Sequence, residues 1–198
     1  MKRVLLACVL WLGLPLLAQA LTLDELAGQL AKPGVVRGPF VQEKYLRSLP
    51  QPLASRGDFV LARDHGLLWQ LKAPVQQVYR IDDNGIARRD TNGWQTLPAR
   101  AAGAQQNRLF FAVLRGDTRQ LGEQFELALQ GTPARWQVRL TPRALLLQQV
   151  FSHIDISGGQ YVERIELFET QGDRTVLRMP SSTASDALTP AERQDFAP

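Results

Sequence analysis

Cysteine is almost missing from this chain of 198 residues: there is one, Cys8, within the first twenty positions. Past that point a disulfide framework, a thiolate metal site and a cysteine nucleophile are all excluded. Histidine is nearly as scarce. His65 and His153 stand far apart, no H-E-x-x-H pair is present, and the sequence offers no metal site. An excess of one charge is lacking too. The 23 basic residues meet 19 acidic ones, Lys2 and Arg3 supply part of the surplus, and the arginines are scattered. That balance argues for no nucleic acid and no acidic membrane surface as partner. There is no nucleophile elbow and no glycine-rich phosphate loop, so no cofactor is expected.

A long apolar run occurs once, at the start. Lys2 and Arg3 precede Val4 to Leu17, and Ala18-Gln19-Ala20 follows, which is the plan of a secretory signal with cleavage after Ala20. The run is about 14 residues, short of the roughly 20 that span a bilayer, and Gly13 and Pro15 interrupt it. Leu5-Leu6-Ala7 before Cys8 has the look of a lipid-attachment site, but cutting there would leave almost no apolar core in the signal. Residues 1–20 are therefore expected to be removed. Residues 21–198 are expected to be exported and, by the length prior, to form one domain.

What the chain does have is alternation. From Gly57 to Pro74, GDFVLARDHGLLWQLKAP reads as two strands joined by a tight turn at Asp64-His65-Gly66. Phe59 and Leu61, then Leu67, Trp69 and Leu71, give each strand one apolar face. The same pattern returns in Phe125, Leu127 and Leu129, and in Trp136, Val138 and Leu140. Ile154 and Ile156 lead to Gly158-Gly159, read as a two-residue hairpin, and Phe40 lies on an earlier strand from Val35 to Leu46. In all, nine to eleven short strands are predicted, with turn signals spaced as in a sandwich or barrel.

Two short amphipathic helices accompany them. Thr22 and Glu25 form a capping box ahead of Leu23, Leu26 and Leu30, and Pro33-Gly34 stops that helix. Gln105 to Arg115 places Leu109, Phe110, Val113 and Leu114 on one side, and Gly116-Asp117 ends it. Such short helices need an apolar surface to lie on. Thr189-Pro190-Ala191-Glu192 signals one further helical turn near the C-terminus. Pattern alone leaves two readings open: an ordinary sheet core, or an incomplete barrel with room for an apolar ligand under a helical lid.

One group has the composition of a catalytic triad. Ser152, His153 and Asp155 are close in sequence, yet alternation sends His153 and Asp155 to solvent and Ser152 to the opposite face, so no catalytic residue is assigned.

The order of these features resembles the periplasmic outer-membrane lipoprotein carrier family, LolA. That family reads approximately as F-x-Q, then G-x-(aromatic or aliphatic)-x-hydrophobic-x-R-P, a tryptophan six positions after the arginine, a proline and a D-G turn. Here Phe40-Val41-Gln42, Gly57 to Leu61, Arg63, Trp69, Pro74 and Asn84-Gly85 stand in that order. Leu23 to about Gly85 follows it well, and Gln105 to Met179 follows only the order of elements. Asp64 takes the place of the proline after the arginine, and the aromatic-proline-glycine ending of the typical carrier is missing after Met179.

The resemblance implies a mainly β protein, an incomplete antiparallel half-barrel with a helical lid over an apolar cavity. The activity it implies is binding the acyl chains of a lipoprotein or other acylated lipid. The cargo would pass from an inner-membrane releasing complex or exporter to an outer-membrane acceptor, with the carrier a monomer. The residues expected to face cargo are Phe40, Phe59, Leu61, Leu67, Trp69, Leu71, Phe110, Phe111, Leu114, Phe125, Leu127, Trp136, Val138, Ile154 and Ile156. Arg63 matches the arginine that latches the lid helices in that family. A lipid-sensing regulatory domain on the same fold, or an enzyme with an unidentified acidic residue, are the alternatives.

Overall fold

The computed structural model describes residues 21–98 and 104–197. The predicted leader and its cleavage point lie outside the described residues, as does the centre of the predicted loop from Pro98 to Gln106. Helix α1 (Leu23–Ala31) opens on the expected capping box, in which the Thr22 amide donates to Glu25 at 2.8 Å and the Glu25 amide donates to Thr22 Oγ1 at 3.2 Å. Strands β1 (Val35–Tyr45), β2 (Leu53–Ala62), β3 (Gly66–Ala73), β4 (Gln77–Asp82), β5 (Gly85–Asp90) and β6 (Gly93–Thr96) then run as an antiparallel meander. Helices α2 (Ala104–Arg115) and α3 (Thr118–Gln124) lead into a second meander. It comprises β7 (Phe125–Thr132), β8 (Arg135–Pro142), the short α4 (Leu145–Gln148), β9 (Phe151–Gly158), β10 (Val162–Glu169) and β11 (Arg174–Arg178). Strand β12 (Thr183–Ser185) and helix α5 (Pro190–Phe196) finish the chain.

All strands belong to one sheet, ordered β6-β5-β4-β3-β2-β1-β11-β10-β9-β8-β7. The meanders join along β1. Its second half pairs with β11, from Val41 opposite Arg178 to Tyr45 opposite Arg174, and its first half pairs with β12. Between the two partners lies Gly38, where a Cβ would come within 2.7 Å of the Ser181 carbonyl oxygen, so the bare backbone lets the chain cross. The end strands β6 and β7 do not pair with each other. The sheet is an open half-barrel, and the link between its two free edges is α2 and α3.

Alternation puts one set of side chains on the concave face. The fully buried residues there include Phe40, Phe59, Leu67, Ile81, Leu140, Ile154, Ile165 and Leu177, and the helices add Leu26, Leu30, Phe110, Val113, Leu114 and Leu121. Burying a large apolar side chain contributes about 1.5–3 kcal/mol, so this one layer holds helices and sheet together.

Three expectations need correction. Strands β2 and β3 are buried on both faces where they meet, since Val60, Ala62 and Leu68 pack outward with Val35, Leu188 and Phe196. The cause is α5, which lies on the convex side and makes a second, smaller core. Helix α3 was not foreseen: Asp117, read as a helix stop, is its N-cap and accepts from the Gln120 amide at 3.0 Å. With Leu121 as its one buried residue, the segment shows no period to detect. The turn after Gly158 spans Gly159 to Tyr161 rather than two residues, closed by the Gly159 amide on the Tyr161 carbonyl at 3.1 Å.

Candidate functional site

The concave layer is built around aromatic contacts that cross from strand to helix. Trp69 on β3 stacks on Phe40 of β1 with ring centroids 3.8 Å apart, and it meets Phe110 of α2 at 5.9 Å. Phe59 adds a third ring at 6.4 Å from Trp69. Every residue expected to face cargo falls on this layer. Phe40, Phe59, Leu61, Leu67, Trp69, Phe110, Phe111, Leu114, Phe125, Trp136, Val138, Ile154 and Ile156 are buried in it, and Leu71 and Leu127 pack against it half-buried.

The helices touch the sheet mainly through apolar side chains, and the described polar ties gather at one end. Gln29 of α1 donates through Nε2 to the carbonyls of Gly159 at 2.7 Å and Pro133 at 3.2 Å. Trp136 Nε1 donates to the same Gly159 oxygen at 2.7 Å. Arg63 donates through Nη2 to the Pro33 carbonyl at 3.2 Å, and its amide donates to Gly34 at 3.0 Å. It therefore ties down the exit of α1, and among the described residues it makes no ion pair with Asp64. Arg115 closes α2: it donates to Asp83 in the β4–β5 turn at 2.8 Å and to Asp117 at 2.9 Å, with its guanidinium 4.8 Å from the Phe111 ring centroid. Burial opposes the charge on Asp117, but the Gln120 amide and Arg115 outweigh it and hold the carboxyl below its usual range.

Among the described residues two narrow gaps separate helices from wall. One, of about 30 Å³, lies under Leu26, Leu30, Val113 and Leu121 against Leu127, Trp136, Val138, Leu140 and Ile156. The other, of about 10 Å³, lies among Leu30, Leu114, Val36, Phe59, Leu61, Tyr161, Val162 and Ser182. Each has room for about one water molecule, and Leu30 lines both. Lifting α1 would merge them.

On the convex face α5 is clamped by charge as well as by Phe196. Glu192 completes a second capping box with Thr189 and takes a two-point contact from Arg37, 2.9 Å at each oxygen. Arg89 pairs with Asp195, and Arg80 donates to the carbonyls of Phe196 and Ala197. Both guanidiniums also lie over the Trp94 ring, Arg80 at 4.9 Å and Arg89 at 4.6 Å from its centroid.

The structure also corrects the expected direction of Ser152. A register shift in the β9–β10 pairing makes Ser152 an extra residue, and it turns to the same side as His153 and Asp155. Ser152 Oγ lies 3.2 Å from His153 Nδ1 and donates to the Phe168 carbonyl at 3.1 Å. Asp155 is bound at both oxygens by Arg139, each at 2.7 Å, and lies 3.8 Å from His153 Nε2. The serine proton is committed to a carbonyl and the aspartate to an arginine, so the three do not assemble a nucleophile, base and orienting acid. Among the described residues no group of His, Cys, Asp or Glu converges as a metal site, and no helix is long and apolar enough to cross a membrane.

Sequence reasoning reached the apolar wall and Arg63 and missed Gln29, Arg115 and the α5 clamp. A lone glutamine or arginine carries no pattern, and its partners lie 130 and 32 positions away. The Thr189 capping box was visible, but nothing in it said which surface α5 would cover.

An open antiparallel half-barrel whose apolar concave face is covered by short helices, pinned at one end, defines the class of fold. The chain belongs to the family described as outer membrane lipoprotein carrier protein LolA-like, which matches residues 17–196. It is 29% identical over 187 residues to a protein of Dechloromonas aromatica named outer-membrane lipoprotein carrier protein, covering 93% of this chain and 88% of that one. Among solved structures it resembles a LolA superfamily protein from Nitrosomonas europaea, with a TM-score of 0.54 and 8% identity, over 90% of this chain and 99% of that one. It also resembles a chain of the Pseudomonas aeruginosa MucA/MucB complex, at TM-score 0.51 and 15% identity, over 86% of this chain and 58% of that one. At those identities the likeness is one of fold.

Proposed function

We propose that this protein is a periplasmic carrier that takes up the acyl chains of a lipoprotein or other acylated lipid beneath α1 and α2. It would move them from the inner to the outer membrane, receiving them from a releasing complex and surrendering them to an acceptor. The observation that carries this reading is the construction of the cover. Helices α1 and α2 rest on the concave face by apolar contact, with polar ties at one end from Gln29, Arg63 and Arg115. Lifting them breaks no strand pairing. An acyl chain in their place would recover the lost burial, at about 0.8 kcal/mol per methylene before ordering costs. Membership of a carrier family and the identity to a named carrier agree with that reading. A carrier acts by binding and release, and no bond-breaking step is required of it.

The test is to purify the protein from a periplasm and identify bound lipids by mass spectrometry. Co-purified acyl lipid is expected. Protein that is consistently free of lipid, and that also fails to bind an apolar fluorophore, would sink the carrier reading.

A further inference from the structure

The smaller of the two gaps has a feature that an ordinary apolar seam lacks. Among the described residues Ser182 Oγ is buried without a hydrogen-bond partner, and Ser182 lines that gap of about 10 Å³ together with side chains that are otherwise apolar apart from Tyr161. The position follows from the crossing at Gly38, whose missing Cβ lets Ser181 and Ser182 lie directly over β1. Leaving a buried hydroxyl unmet is unfavourable. A water molecule is a poor remedy, because it needs two to four polar partners and this gap supplies few. An oxygen delivered on an apolar chain needs only one.

What lies outside fits the same geometry. Tyr161 also borders an open depression of about 740 Å³, lined by Lys32, Gln160, Glu163, Ser185 and Asp186. Its rim includes Gln29 and Pro33, the points at which α1 is tied down. The apolar gap that holds Ser182 and the polar depression thus adjoin at Tyr161, at the end where the cover is pinned.

Resting on the carrier reading, we propose that Ser182 is the polar contact of the cargo site. Its hydroxyl donates to the ester or amide carbonyl of an acylated amphiphile, whose chain lies under Leu30 and Leu114 and whose polar head occupies the depression beside Lys32 and Glu163. Cargo enters and leaves between the end of α1 and the turn at Gly159 to Tyr161. Specificity is then for an acyl linkage, not for apolar chain alone. A lipoprotein's diacylglyceryl group and a membrane phospholipid share that linkage.

The experiment is displacement of an apolar fluorophore by monomyristoylglycerol and by its alkyl-ether counterpart, which lacks the carbonyl. Ser182→Ala should weaken the ester about five-fold, the worth of one net hydrogen bond, and leave the ether unchanged. Ser182→Thr, which keeps the hydroxyl, should keep the preference. Ser182→Ala should also hold or raise the Tm, since it removes an unmet polar group. An equal effect on both probes, no effect on the ester, or a lowered Tm would overturn this assignment while leaving the carrier reading standing. Wild-type protein that binds neither probe would overturn both. A diacylglyceryl-cysteine peptide and a diacyl phospholipid, compared in the same assay, distinguish the two sources of the ester. Ser182→Ala should weaken whichever binds, and weakening of neither counts against the proposal.

Discussion

Gln29 and Gly159 are 130 positions apart in sequence and meet at 2.7 Å, the side-chain amide of a helix on the carbonyl of a strand turn. The same carbonyl receives the indole of Trp136. One oxygen therefore ties the covering helix to the wall and fixes a ring of the wall itself.

Gln29→Ala should loosen α1 without emptying that oxygen's coordination, because Trp136 stays. A loss of about 1 kcal/mol in global stability is expected. Amide exchange across Leu23–Ala31 should speed up more than exchange in β8 and β9, and release of a bound apolar fluorophore should quicken. Uniform acceleration throughout the sheet would show that Gln29 supports the whole fold and not the cover.

Arg63→Leu removes a single exposed hydrogen bond to Pro33, so its effect on stability should stay below about 1 kcal/mol. Its effect on retention should be larger, because the bond lies where α1 leaves the sheet. Cargo release to an acceptor is the readout. Release at the wild-type rate would remove Arg63 from the mechanism.

Gly57 faces the Gln70 carbonyl so closely that a Cβ would stand 1.9 Å from its oxygen, with Phe40 at 2.9 Å. A backbone atom cannot swing aside as a side chain does, so Gly57→Ala must displace β2 from β3 and disturb the Phe40–Trp69 stack. A loss of about 3 kcal/mol or more is expected in denaturant unfolding, with a change in tryptophan emission. A loss under about 1 kcal/mol would mean that the two strands part easily.

Acid should weaken the attachment of α5. Burial opposes the charge on Glu192, but the contacts from Arg37 and Thr189 outweigh it and hold its carboxyl below the ordinary value. A depressed carboxylate gives stability that is present above the ordinary value and is lost as pH falls through the depressed one. Glu192→Gln should therefore cost about 1–2 kcal/mol at neutral pH, and less at an acid pH below the depressed value, where the wild-type carboxylate has taken up its proton. Equal losses at both pH values would show that shape, not charge, holds the strap.

Much of this was written in the sequence because alternation and turn chemistry are local. Phe59, Leu61, Leu67 and Trp69 announce a wall within a dozen positions, and Thr22 with Glu25 announces a helix start within four. The remainder depends on what folds back. Val60, Ala62 and Leu68 read as the solvent side of their strands until Phe196 arrives from the far end of the chain. Ser152 read as inward-facing until one extra residue in β9 reversed it, and the sequence holds no mark of that insertion. The apolar concave face was legible because its residues repeat. Gln29 and Arg115 were not, because each is a single side chain whose partner the chain brings up only by folding.

The place of β1 in the sheet also dictates an order of assembly. Strands β1 to β6 and β7 to β11 are each a run of neighbours that can zip locally, with short loops to close. The seam from Val41–Arg178 to Tyr45–Arg174 is different, since it needs the start and the end of the chain together. A chain emerging from its N-terminus would hold two separate ribbons, each with its apolar face bare, until the last quarter appears. Apolar faces left bare in that interval favour aggregation, so a substitution that weakens the seam should show first as poor yield.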